Sequence, residues 1–125
     1  MIALDTSIVV DYLRNRTDAV DLLEQLVIAG ERLIASEIVR FEVLVGVRQK
    51  ERRQVEQFFT VLDWIPVDEQ VARLGADLAR QFRASHSGID SVDFLIAATA
   101  LRMNATLLTT NIRHFPMFQD LAAPY

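Results

Sequence analysis

The sequence contains no cysteine, and this absence excludes several classes of site at once. A disulfide scaffold, a zinc site with thiolate ligands and a cysteine nucleophile all need a residue that the chain lacks. Lysine is almost absent as well, because twelve of the thirteen basic residues are arginines and only Lys50 is a lysine. The four glycines, at positions 30, 46, 75 and 88, are not clustered, so no glycine-rich phosphate-binding loop is present.

Long hydrophobic runs are also missing. The longest charge-free apolar stretch, around Phe94–Leu101, is far shorter than the ~20 residues that a membrane-spanning helix needs. Near the start, Asp5 interrupts the only apolar stretch that resembles the core of a signal peptide. We therefore expect a cytoplasmic protein that does not insert into a membrane.

What is present is typical of one folded domain. Hydrophobic residues make up 51% of the 125 residues and charged residues 24%, so we expect a single domain over residues 1–125. The net charge of −4 argues against a protein that simply coats nucleic acid. Five basic residues nevertheless lie between Arg40 and Arg53, and this cluster is either a solvated helix end or a surface that faces RNA.

Short apolar segments alternate with amphipathic ones along the chain. The predicted strands are MIAL at the start, RLIA, DWIPV and ATLLTT. Between them, apolar residues recur every three or four positions, which predicts helices. Gly30 is expected to end one of these helices and Ser36 to cap the start of the next. This alternation predicts an α/β fold with a mostly parallel sheet covered on both faces, in which chemistry collects beyond the carboxyl ends of the strands.

Two carboxylates stand among apolar residues, one after a predicted strand and one within a predicted helix. Asp5 follows the first predicted strand, where it is also a candidate cap for the next helix. Glu42 lies within VRFEVLVGV, and on a helix it shares a face with Ile38 and Val45. An ionised carboxylate buried without a partner is costly. Glu42 therefore reaches solvent, pairs with an arginine, has a shifted pKa or binds a cation.

A third carboxylate begins a very apolar helix. Asp93 lies three residues after Asp90, and the pair fits a capped helix start, in which both charges favour the positive end of the helix. Thr110 and Asn111 follow the last predicted strand, where Asn is also a common turn residue. Each of these residues has a structural explanation, but their joint placement at strand ends and helix starts points to a site.

Other catalytic arrangements are not found. His86 and His114 are isolated and form no HExxH motif, and no G-x-S-x-G elbow is present. What remains is a set of carboxylates without soft ligands, which selects hard cations such as Mg²⁺ or Mn²⁺. Such a cluster suits hydrolysis of a phosphodiester bond.

Four segments together resemble the PIN-domain ribonucleases, and specifically the VapC toxins of prokaryotic toxin–antitoxin pairs. The segments are IALDTS, FEVLVGV, DFLIAATAL and LLTTNIRHF, in the order and at the spacing usual for that family. The resemblance runs from Met1 to about Phe115, and the stretch Asp93–Ala100 is its most specific part. It implies a three-layer α/β/α sandwich around a mostly parallel sheet of four to five strands.

The resemblance also implies which residues form the site. Asp5, Glu42 and Asp93 match the family's first three acidic ligands, and Asn111 stands where many relatives have a fourth. An amide there brings no charge, so one firmly held ion is expected rather than two. The supporting residues implied by the resemblance, or adjacent to the cluster, are Thr6, Asp90 and Thr110.

The implied activity is that of a Mg²⁺- or Mn²⁺-dependent endoribonuclease that cleaves structured RNA, such as tRNA or ribosomal RNA, and so inhibits translation. The implied partners are the RNA substrate, a cognate VapB-like antitoxin whose C-terminal segment fills the active-site groove, and a second copy of the chain in a homodimer.

Three alternatives remain at this point. DTSIV resembles the nucleophile motif of haloacid-dehalogenase phosphatases, but the second aspartate would be Ser7 and the only lysine is Lys50. A receiver-like signalling domain needs two adjacent acidic residues after the first strand and a late lysine, and the chain has neither. A degenerate PIN domain that only binds is compatible with Asn111.

Overall fold

The fold is described from a computed structural model that covers residues 1–125. The strands are β1 (Ile2–Leu4), β2 (Leu33–Ser36), β3 (Asp63–Ile65) and β4 (Thr106–Leu108). The helices are α1 (Thr6–Leu13), α2 (Thr17–Ile28), α3 (Glu37–Gly46), α4 (Arg52–Phe59), α5 (Glu69–Phe82) and α6 (Ser91–Arg102). Two short 3₁₀ turns cover Gln49–Glu51 and Ile112–His114.

The four strands form one sheet in the order β3-β2-β1-β4, and every neighbouring pair is parallel. Ala3 of β1 pairs with Ile34 of β2 on one side and with Leu107 of β4 on the other. All four residues of β2 are buried, as expected for a strand whose two faces are both covered by helices. The predicted α/β/α sandwich with a parallel sheet of four to five strands is confirmed.

Local signals in the sequence place the helix ends. The Ser36 hydroxyl accepts a hydrogen bond from the backbone N–H of Ile38 at 3.1 Å, so Ser36 caps α3 as predicted. Asp68 caps α5 in the same way, through the N–H of Val71 at 2.9 Å. Beyond α2, Gly30 has a φ of +81°, which is the left-handed conformation that commonly ends a helix. These caps fix where α3 and α5 leave the sheet.

Two predicted elements are shorter than their sequence pattern. The pattern RQVEQFFTVL predicts a helix as far as Leu62, but α4 ends at Phe59. The hydroxyl of Thr60 donates to the carbonyl of Gln57 at 2.7 Å and helps close the last turn. The segment DWIPV contributes only Asp63–Ile65 to the sheet, because Pro66 has no N–H to donate to a neighbouring strand.

Helix α6 is the most deeply buried helix, with six of its twelve residues buried. It packs closely against α5 at Gly75, where a Cβ atom would lie 3.0 Å from the Cδ2 atom of Leu95. This close approach fixes α6, and with it Asp93 in its first turn. Although α6 is strongly apolar, neither it nor any other helix is long and apolar enough to cross a membrane.

Candidate active site

Asp5 lies at the carboxyl end of β1, in the middle of the sheet. Its backbone N–H donates to the carbonyl of Leu108 at 3.0 Å, so the ends of β1 and β4 are held together. The side chain is buried, and its Oδ2 atom accepts hydrogen bonds from Ser7 Oγ at 2.9 Å and from Thr109 Oγ1 at 2.7 Å. Asp5 occupies the N-cap position of α1, but its side chain makes no capping hydrogen bond. Of the two roles that the sequence left open for Asp5, capping of α1 by the carboxylate is therefore not observed.

Glu42 reaches the same region from α3. The hydroxyl of Thr6 donates to its Oε1 atom at 2.6 Å, and no arginine forms an ion pair with it. Partial burial raises the pKa of Glu42, and the hydrogen bond from Thr6 partly opposes that effect. The charges of Asp5, Asp93 and Asp90 raise the pKa further, in that order. Glu42 therefore belongs to one cluster of like charges.

Asp93 reaches this cluster from the first turn of α6. Its Oδ2 atom lies 3.0 Å from Nδ1 of His114 and 3.3 Å from the backbone N–H of Asp90. Burial raises the pKa of Asp93, contact with His114 opposes this, and the charge of Asp5 raises it again. The sequence had indicated an isolated His114. The contact brings together residues 21 positions apart, so no local spacing reveals it.

The segment after β4 contributes hydrogen bonds to the cluster, and the sequence predicted only some of the residues involved. The hydroxyl that contacts Asp5 belongs to Thr109, which is fully buried, whereas Thr110 is exposed and contributes its backbone N–H to Ser7 Oγ at 3.1 Å. Asn111 is exposed, and its backbone N–H donates to Thr109 Oγ1 at 2.9 Å. Strand alternation could have identified Thr109, because it lies on the same face of β4 as the buried Leu107.

The three carboxylates share one pattern of hydrogen bonding. In each, a single oxygen accepts from groups of the chain, and no hydrogen bond within the chain reaches the other oxygen. No polar side-chain atom is both buried and without a partner, so these second oxygens are accessible. Asp5, Glu42 and Asp93 come from three different elements of the fold.

This arrangement fits a hard cation by its donor chemistry. Every available ligand atom is an oxygen, and the raised pKa values of Glu42 and Asp93 reflect burial and repulsion that a positive ion would relieve. In this structure, no three acidic or histidine side chains lie close enough together to coordinate one metal ion. The cluster therefore offers oxygen atoms of the kind that a divalent cation binds, although these side chains do not form a closed metal site as they stand.

Comparison with known proteins assigns this fold and cluster to a family. A family model described as PIN domain matches residues 2–121. Ribonuclease VapC19 of Mycobacterium tuberculosis is 55% identical over 122 residues, which are 98% of each chain. Ribonuclease VapC10 of the same species is 36% identical across the whole of this chain and 93% of its own.

A solved structure agrees with these sequence matches. VapBC2 from Rickettsia felis, bound to a DNA fragment from its promoter, superposes with a TM-score of 0.83 at 25% identity, over 98% of this chain and 97% of the other. The family match, the two relatives and the shared fold all cover nearly the full chain. The chain therefore belongs to the PIN-domain family and, within it, to the VapC ribonucleases.

Proposed function

We propose that the protein is a metal-dependent endoribonuclease and the toxin of a toxin–antitoxin pair. The observation that carries this proposal is the meeting of Asp5, Glu42 and Asp93 at one edge of the sheet, each with one accessible oxygen. The names of the relatives support RNA as the substrate. The proposed reaction is hydrolysis of a phosphodiester bond within structured RNA, such as tRNA or ribosomal RNA, and its consequence is inhibition of translation.

The proposed cofactor is Mg²⁺ or Mn²⁺. Asp5, Glu42 and Asp93 would hold it, with the amide oxygen of Asn111 as a fourth, uncharged ligand or as an acceptor that orients water. A bound divalent cation activates a water molecule and stabilises the leaving oxygen in such a hydrolysis. Asp90 adds negative charge beside the cluster, since its carboxylate raises the pKa of Glu42.

The surrounding hydrogen-bond donors orient the carboxylates. Thr6 fixes one oxygen of Glu42, while Ser7 and Thr109 fix one oxygen of Asp5. The N–H of Thr110 holds Ser7 in turn. Each carboxylate then has a single oxygen free to bind the cation, which favours one coordination geometry over several alternatives.

The proposed protein partners are a VapB-like antitoxin and a second copy of the chain. The Rickettsia felis relative was solved as a VapBC2 assembly. On this chain, Phe41 and Val45 lie one turn apart on α3 and are 60% and 73% exposed, and Val27 and Ile28 are exposed at the end of α2. Exposed apolar patches of this kind mark protein interfaces. Light scattering would test the homodimer, since the chain has a mass of 14.2 kDa and a dimer twice that.

A non-catalytic binding module is the second candidate, and Asn111 favours it because the fourth family carboxylate is replaced. The haloacid-dehalogenase alternative is set aside by the family assignment. In addition, Lys50 lies in the turn before α4 and the hydroxyl of Ser7 is bonded to Asp5, so neither supports phosphotransfer chemistry.

One experiment separates these functions. The purified protein is incubated with total RNA in Mg²⁺, in Mn²⁺ and in EDTA, and the cut ends are mapped by sequencing. The nuclease proposal expects discrete cuts with either metal, none in EDTA, and none with a folded Asp93→Asn variant. Intact RNA under every condition, with a folded protein free of antitoxin, would leave the binding module as the better account.

A further inference from the structure

Most arginines of this chain are already engaged within the fold. Six form ion pairs with carboxylates, namely Arg16, Arg32, Arg40, Arg48, Arg73 and Arg80. Arg83 and Arg102 donate to the side chains of Ser91 and Gln70. Four arginines have no polar side-chain partner: Arg14, Arg52, Arg53 and Arg113. Their guanidinium groups are free to bind an anion.

Two of the five basic residues between Arg40 and Arg53 are paired with carboxylates. Arg40 pairs with Glu37 at 2.6 Å and its guanidinium lies 4.0 Å from the ring centre of Trp64. Arg48 lies 3.7 Å from a carboxylate oxygen of Glu51. The RNA-facing patch that the sequence suggested here is therefore reduced to Lys50, Arg52 and Arg53, which form no ion pair.

Two of the four unpaired arginines line grooves in the protein surface. One groove, of about 120 Å³, runs between α1, α3 and α4, and its wall includes both Glu42 and Arg14. The other, of about 410 Å³, lies between the loop after α5 and the turn after β4, and its wall includes Arg113 and His86. No acidic residue lines the second groove. The first groove therefore includes a carboxylate of the cluster, and the second is linked to the cluster through the chain, since Arg113 precedes His114.

The second groove is tied to the cluster through its own backbone. Arg113 precedes His114, whose ring contacts Asp93 at 3.0 Å. On the opposite wall, Ser85 and Ser87 are exposed hydroxyls, and Ser87 stands three residues before Asp90. The two walls of this groove therefore offer a guanidinium, an imidazole and two hydroxyls, all of which bind phosphate or ribose oxygens.

Charge explains why such grooves are needed. An RNA strand that presents a phosphate to Asp5, Glu42 and Asp93 meets a cluster of negative charge on a protein whose net charge is −4. A divalent cation offsets this charge repulsion only at the phosphate that is cleaved. The neighbouring phosphates need their own cationic contacts, and arginine binds phosphate oxygens in a bidentate geometry.

We propose that the two grooves are subsites for one unpaired RNA strand, in which Arg14 and Arg113 contact phosphates on opposite sides of the phosphate at the acidic cluster. This proposal rests on the proposed ribonuclease function and names the surface by which the same site holds its substrate. Arg14 and Arg113 bind substrate remote from the bond that is cleaved, so they act on affinity more than on the chemical step.

The test is an RNA-binding titration of Arg14→Ala, Arg113→Ala and the double variant. The matched control is Arg53→Ala, which removes the same charge from an arginine that lines neither groove. The probe is a fluorescently labelled single-stranded RNA oligonucleotide in EDTA at several salt concentrations. All three substituted arginines are exposed, and thermal melting verifies that each variant is folded.

Each groove variant is expected to bind about tenfold more weakly than the wild type, with the salt dependence of log K reduced by about one for each arginine. In Mg²⁺, KM rises while kcat changes little. The control keeps wild-type affinity. Wild-type binding by the double variant, or an equal loss in Arg53→Ala, would overturn the groove assignment while leaving the nuclease intact. A wild-type protein that neither binds nor cleaves RNA would overturn both proposals.

Discussion

The ring of His114 holds Asp93 from a different element of the fold. Its Nδ1 atom lies 3.0 Å from Oδ2 of Asp93, and this contact links the turn after β4 to the first turn of α6. The Asp93 side chain is only 14% exposed, and the same oxygen also accepts from the backbone of Asp90 at 3.3 Å. One oxygen of Asp93 is thereby fixed, and the other makes no hydrogen bond within the chain.

Replacing His114 is expected to weaken metal binding. His114→Ala removes the donor that orients Asp93, and the loss of such an outer partner costs roughly tenfold or more in metal affinity. Mn²⁺ affinity measured by calorimetry checks this. His114→Asn, whose amide nitrogen replaces Nδ1, is expected to restore most of the affinity. His86→Ala is the matched control, since His86 bonds Ser85 and not the cluster. Unchanged affinity in His114→Ala would contradict the orienting role.

Thr109 is expected to matter more than its neighbour Thr110. Thr109→Val removes a fully buried hydroxyl that donates to Asp5 and accepts from the backbone of Asn111. The free energy of unfolding should fall by about 1–3 kcal/mol, because the buried Asp5 carboxylate loses one of its two donors and the N–H of Asn111 loses its acceptor. Thr110→Val changes an exposed hydroxyl without a hydrogen bond and should stay within about 0.5 kcal/mol. Urea denaturation of both variants measures the difference, and equal effects would contradict it.

Because the pKa of Glu42 is raised, we expect the stability of the folded protein to depend on pH. A carboxyl whose pKa is higher in the folded state favours folding while protonated, and it loses that contribution as the pH rises through the folded-state pKa. The ionised Glu42 therefore opposes folding near neutral pH. Without divalent metal, Glu42→Gln should melt at a higher temperature than the wild type at pH 7.5, and the gap should narrow toward pH 4. A gap that is constant with pH would contradict this origin.

The same substitution should reverse its effect when metal is present. Mg²⁺ or Mn²⁺ is expected to raise the melting temperature of the wild type, because a ligand that binds only the folded state stabilises it. Glu42→Gln loses a charged ligand, so its melting temperature should respond less. Equal responses in the two proteins would show that Glu42 does not contribute to cation binding.

Asn111 is expected to limit how strongly the cluster binds metal. Asn111→Asp adds a fourth carboxylate at the position where many relatives have one, so Mn²⁺ affinity should rise, while Asn111→Ala should change it little. Asn104→Asp, at the end of α6, adds the same charge elsewhere and serves as the control. Similar affinity in Asn111→Asp and the wild type would argue that position 111 does not face the cation.

The sequence predicted the scaffold well because its signals are local. Strand and helix periodicity, Ser36 as a cap and Gly30 as a helix end all depend on residues within a few positions of one another. The parallel sheet followed from the alternation of strands and helices. Boundaries that depend on turn chemistry, such as the end of α4 at Phe59, were less well predicted.

The sequence predicted three carboxylates that the fold brings together, but it did not predict their hydrogen-bond partners. Asp5, Glu42 and Asp93 stood out because each combines charge with apolar surroundings. Thr109 bonds Asp5 across 104 positions and His114 bonds Asp93 across 21, so only the folded chain brings these pairs together. The Asp5 carboxylate does not cap α1, and its Oδ2 atom accepts instead from Ser7, two residues away, and from the distant Thr109.

The central claim is tested most directly by the rate at which the protein cleaves one defined RNA, chosen from the mapped cuts, as Mn²⁺ is titrated. The account predicts saturable, Mn²⁺-dependent cleavage by the wild type and a loss of at least about a hundredfold in folded Asp5→Asn, Glu42→Gln and Asp93→Asn. Cleavage that persists in EDTA, or that survives all three substitutions, would contradict a metal-dependent site built on these carboxylates.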